Sequence, residues 1–150
     1  MPLPDSNEVD EAVLAVLTGD TALRALLPGG VWFDLTGSPN LTRYGLVSQL
    51  HHEDMPAVHS EGGWERYLYL VKAVVLATDS STVKAAAYRI HQLLHDTTYP
   101  VDGYVLMLSQ RVERVRYAEL DEVTDENWLH RGGQYEVFVA PVQSGEEIAA

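Results

Sequence analysis

The run Arg66-Tyr67-Leu68-Tyr69-Leu70-Val71-Lys72-Ala73-Val74-Val75-Leu76-Ala77, followed within three residues by Ser80 to His95, decides the fold. The first part alternates with a period of two and is rich in aromatic and β-branched residues, the pattern of a strand. One side presents Tyr67, Tyr69, Val71, Ala73, Val75 and Ala77, and the other Arg66, Leu68, Leu70, Lys72, Val74 and Leu76. Both sides are therefore mostly apolar. The second part places Val83, Ala86, Ala87, Ile90, Leu93 and Leu94 at helical spacing, with Asp79 or Ser80 as cap and His95 near the carbonyl end. This helix can cover one face of the strand. A chain with few other elements leaves the second face for a partner subunit.

Working outward, Ser6 to Leu17 puts Val9, Ala12, Val13, Val16 and Leu17 on one helical face, and Gly19-Asp20 restarts the chain. Leu23, Leu26 and Leu27 form a second short helix stopped by Pro28-Gly29-Gly30, which completes a helical hairpin. Val31 to Phe33 and Tyr44 to Leu50 read as strands, and His51 to Gly63 as a 13-residue loop. Beyond the long helix, Val101 to Leu108, Arg111 to Leu120 and Gln134 to Val142 are further strands. Asp121 to Asn127 is an acidic loop, and Arg131-Gly132-Gly133 a turn. The expected fold is α+β, a single antiparallel or mixed sheet of about 4–6 strands with one long helix packed on it. Residues 1–142 form the single domain, with 143–150 as a flexible C-terminal tail.

With 22 acidic against 10 basic residues, the formal charge of −12 opposes the counterion release by which proteins grip phosphate backbones. The absence of cysteine excludes disulfides, thiolate metal sites and a cysteine nucleophile. The N-terminal stretch shows neither the basic segment nor the apolar run of a signal peptide, and no apolar stretch reaches the ~20 residues that span a bilayer. The expectation is a protein that is cytosolic when made.

Candidate chemistry is sparse. His51, His52, Glu53 and Asp54, with His59 nearby, could ligate zinc or iron and so serve a small metal-dependent hydrolase. Against this, His51 and His52 point to opposite sides of an extended chain, and no HExxH spacing occurs. A solvated polar loop explains the same residues. There is no GxSxG elbow, and the paired glycines lack a phosphate-loop context. His91 and His95 fall on the solvent side and end of the helix. We expect no catalytic residue, cofactor or metal.

Arg111, Arg114 and Arg116 stand just before a run of acids, Glu119, Asp121, Glu122, Asp125 and Glu126. Arg114 and Arg116 share one side of their strand. Opposite charges so close together suit head-to-tail docking of identical subunits, and equally suit an edge strand guarded by charge. Trp64, Tyr67 and Tyr69 are either interface anchors or ordinary core, whereas Trp128, beside the acidic run, suggests a contact.

The order of several segments resembles the tail-terminator (tail-completion, head–tail joining) proteins of long-tailed bacteriophages and prophages. The similarity runs from Val9-Asp10-Glu11-Ala12-Val13 through Leu26-Leu27-Pro28-Gly29-Gly30-Val31-Trp32 to Arg66–Ala73, then Ala85–Ile90 with Leu93-Leu94, and ends in His130–Val139. The resemblance implies a non-enzymatic virion protein that caps the head-proximal end of a tail tube as a homohexameric ring. Its implied partners are the tail-tube protein and a head-completion or connector protein. DNA would pass through the lumen without specific binding. Another neck, connector or minor capsid protein of the same topology would fit similarly. The contact residues expected on this reading are Trp64, Tyr67, Arg111, Arg114, Arg116, Glu119, Asp121, Glu122 and Trp128.

Overall fold

The computed structural model describes residues 6–55 and 63–142; the expected tail at 143–150 and the middle of the His51–Gly63 loop, His59 included, lie outside the described residues. Helices α1 (Ser6–Thr18) and α2 (Thr21–Leu26) lead into strands β1 (Val31–Phe33), β2 (Arg43–Met55) and β3 (Trp64–Leu76). A 3₁₀ turn (Ala77–Asp79) opens helix α3 (Ser80–Leu94), and the long strands β4 (Tyr104–Asp121) and β5 (Glu126–Pro141) follow. The protein is α+β with one mixed sheet in the order β1-β2-β3-β5-β4, in which only β1 and β2 run parallel.

Tyr67, Tyr69, Val71, Ala73 and Val75 of β3 are buried together with Val47, Tyr135, Val137 and Val139 of the neighbouring strands. Against them lie Val9, Val13 and Leu17 of α1, Leu23 of α2, Leu27 just after it, and Val83, Ala86, Ile90 and Leu94 of α3. All three helices thus share one side of the sheet. The Tyr69 hydroxyl donates to Asp10 Oδ1 of α1 at 2.5 Å, and Asp20, which caps α2 through Leu23 N–H at 2.9 Å, receives Arg89 of α3 at 2.6 and 2.8 Å. Each fully buried aliphatic or aromatic side chain here contributes about 1.5–3 kcal/mol over its exposed state.

Several expected boundaries are corrected. The segment His51–Met55 is not loop but the end of β2, held by pairing of His51 through Met55 with Leu68 through Trp64. The strands expected at 101–108 and 111–120 are one strand, β4, which absorbs two bulges, at Met107 and Val112, without breaking. Arg131-Gly132-Gly133 is not a turn. It lies inside β5, between β3 and β4, where a Cβ on Gly132 would sit 2.0 Å from the Val71 carbonyl oxygen. Glycine marks a close backbone approach there, a reading that glycine in a strand always permits. The acidic loop shrinks to residues 122–125. Asp79 does not cap α3 with its side chain, because its carboxylate is engaged by Arg43 at 2.9 Å.

Candidate assembly surface

With the helices on one side, the other face of the sheet is uncovered among the described residues. Across it run Leu46, Leu68, Leu70, Leu108 and Phe138, all half-buried, and Trp64, whose ring lies 5.2 Å from that of Phe138. Polar groups interrupt this surface in paired form. Glu136, 8% exposed, accepts from Arg66 at 2.9 Å and from Gln110 at 2.6 Å, while Arg66 also reaches Glu53 at 3.4 Å. Lys72 donates to the Tyr117 hydroxyl at 2.5 Å, and His130 contacts Glu119 at 3.2 Å and stacks on Tyr117. Burial, with Lys72 adding to it and Glu119 opposing, holds the His130 imidazole below its ordinary pKa. These groups supply orientation and charge, with no nucleophile beside a base.

The β4–β5 hairpin carries the charged residues singled out in the sequence. The bulge at Val112 shifts the alternation of β4 by one residue, so Arg114 and Arg116 fall on the helix side together with Arg111. Plain alternation would have put Arg111 on the opposite side. Arg116 stands directly across from Arg131 of β5, and Lys84 of α3 completes a groove of about 450 Å³ between the helix and the hairpin. Lys84 and Arg131 were missed in the sequence because they come from other elements. At the far end the hairpin closes in a tight turn, in which Asp121 accepts the Val123 N–H at 3.0 Å through its side chain and the Asp125 N–H at 2.7 Å through its carbonyl. Glu119, Asp121, Glu122 and Trp128 line a second cleft, about 590 Å³, against residues 36–44.

Trp128 belongs to β5, not to a loop. It pairs with Leu76 and Glu119, and its ring lies 6.4 Å from that of Tyr44. Tyr67 is fully buried on the helix side, so of the two roles left open for it the core position is the one occupied. Its hydroxyl donates to Glu65 at 2.8 Å.

His51 and His52 point to opposite sides of β2, as extended chain requires. The bulge at Leu50 turns His52 and Asp54 toward the helix side, where they meet Glu65: these three donors lie within 4.8 Å of one another. His51 and Glu53 face the other way, so the sequence cluster does not assemble as a unit. A different trio, His52, Asp54 and Glu65, has the donors for a divalent ion, although the Glu65 oxygen within 2.9 Å of His52 Nε2 is also the acceptor for Tyr67. His91 is not simply a solvent-side residue. Its Nδ1 lies 3.2 Å from the buried Tyr135 hydroxyl, its ring stacks on His95, and burial, then Arg111, His95 and Arg114, lower its pKa. His95 Nδ1 accepts the Arg111 backbone N–H at 3.1 Å instead of meeting a helix carbonyl.

No family model and no curated protein matches the chain. Among solved structures, a chain of the virion of a native gene transfer agent (GTA) particle is similar over 88% of this chain and 94% of its own length, at 20% identity and TM-score 0.64. A second solved chain, with no stated function, is similar over 93% and 96% respectively, at 11% identity and TM-score 0.55. At these identities the shared property is the fold.

Proposed function

We propose that this chain is a structural subunit of a phage-like virion, a tail terminator that caps the head-proximal end of the tail tube as a ring within the head–tail joint. The observation that carries the reading is a sheet packed, among the described residues, on one side only, in a fold shared nearly end to end with a chain of a virion particle. A half-covered sheet needs a second surface to remove its apolar face from water, and identical copies or tube and connector proteins provide one. The sequence resemblance to tail terminators supplies the finer role and the expected hexamer. Six copies would carry a formal charge of −72 (six times −12), so a lumen lined by acids would let DNA slide without holding it.

The test is genetic. Deleting the gene in the particle-producing strain should give overlong or headless tails, restored by supplying the gene in trans. Particles of normal length and head attachment from the deletion would defeat the proposal. Heads of normal form with tails of normal length but no joining would point instead to a neck or connector protein of the same topology.

A further inference from the structure

We propose that the cationic groove between α3 and the β4–β5 hairpin is the receptor for the acidic hairpin tip of a second copy of this chain. Five of the ten Lys and Arg residues of this acidic protein, Lys84, Arg111, Arg114, Arg116 and Arg131, line this one groove. Among the described residues none of the five lies within 4.0 Å of a carboxylate, whereas Arg43, Arg66 and Arg89 each do. Arg116 and Arg131 are direct cross-strand neighbours, a like-charge pairing that costs stability unless an anion sits over it. The Val112 bulge brings Arg111 to the same side, concentrating the charge.

The complementary feature is on the same hairpin. Asp121, Glu122, Asp125 and Glu126 surround Val123, which is 94% exposed, and the groove offers Tyr88, 64% exposed, beside its cations. An apolar tip ringed by acids matches an apolar contact ringed by arginines. Within one chain the two cannot meet. Arg116 and Asp121 stand five positions apart along the strand, about 17 Å of extended backbone, and the hairpin cannot fold back on itself. Two copies exchanging tips across a two-fold axis would close as a dimer; taken head to tail, one copy's tip in the next copy's groove, the contact is heterologous and repeats into a ring or an open row, the form that the proposal takes. It deepens the ring of the proposed function by naming the contact, and rests on that reading only for the number of copies.

Since the chain has no cysteine, a directed crosslink can read the contact. The variant Ala87→Cys/Val123→Cys, concentrated at low salt under mild oxidation, should give dimers and longer ladders whose junction peptides join positions 87 and 123. Ladder yield should fall about ten-fold in high salt. Adding Arg114→Glu/Arg116→Glu, or Asp121→Lys/Glu122→Lys, should abolish the ladder in each case. Mixing the two charge-reversed proteins should restore it, which also shows that both fold. Absence of the 87–123 junction, or ladders indifferent to either reversal, would overturn the proposal. So would tight retention of a short DNA duplex by the parent protein that survives the tip reversal, since this assigns the groove to nucleic acid. Crosslinking with normal particles from the gene deletion would keep this contact and remove the tail-terminator reading; aberrant tails without crosslinking would do the reverse.

Discussion

Gly132 shows how one residue sets the spacing of two strands, β5 and β3. A methyl group there meets backbone, which cannot move aside as a side-chain end can, so Gly132→Ala should destabilise the protein by about 3 kcal/mol, read as a fall in Tm. At Gly133 the nearest obstacle is Arg111 Cδ at 2.8 Å, and although the Glu113 carbonyl follows at 2.9 Å, the milder overlap predicts a smaller loss for Gly133→Ala. The histidines give a second residue-scale prediction. Both His91 and His130 have pKa values below the ordinary 6.5, chiefly through burial. The unfolded chain then takes up protons first as pH falls, so their contribution is complete above about 6.5 and is lost as pH drops through the lower folded values. Thermal melts between pH 7.5 and 5.5 should show Tm falling as the pH is lowered, with a shallower slope in His91→Gln/His130→Gln. The identity of these histidines was plain from the sequence, but their surroundings were not, because Tyr135, Lys72 and Glu119 come from distant strands.

At the scale of elements, one carboxylate ties the helical hairpin to α3 alongside their shared apolar core. Asp20 caps α2 and receives Arg89, whose hydrogen bonds are the main cause of its lowered pKa. Asp20→Ala should cost about 1 kcal/mol from the cap and should raise amide exchange in 21–27 more than in the sheet, as read by hydrogen-exchange mass spectrometry. The α1–α2 pair and α3 were legible from period 3.6 because their buried faces are continuous in sequence. β4 and β5 were read as shorter pieces because bulges interrupt the alternation and because internal glycines look like turns when the neighbouring strands are unknown.

For the whole molecule, the asymmetry of the sheet gives its two faces different weights in folding. Leu70 on the open face should accept Gln at a cost near 1 kcal/mol, while Val71→Gln, one residue on and fully buried, should cost at least 3 kcal/mol and lower soluble yield. Circular-dichroism melts of the purified variants would check this. On the proposed function, Leu70→Gln should fold and yet fail to complement the gene deletion.

The sequence by itself determined that β3 has two apolar sides, that one long helix follows it, and that the chain is acidic with arginines at 111–116 set close before acids at 119–126, since these are properties of adjacent residues and of composition. Only the tertiary structure decided which side the helices cover and which cations converge. The bulges at Leu50 and Val112 each invert the facing of the residues beyond them, and such one-residue slips are set by pairing with strands far away in sequence. For this reason the histidine cluster separates while five cations from three elements gather in one groove.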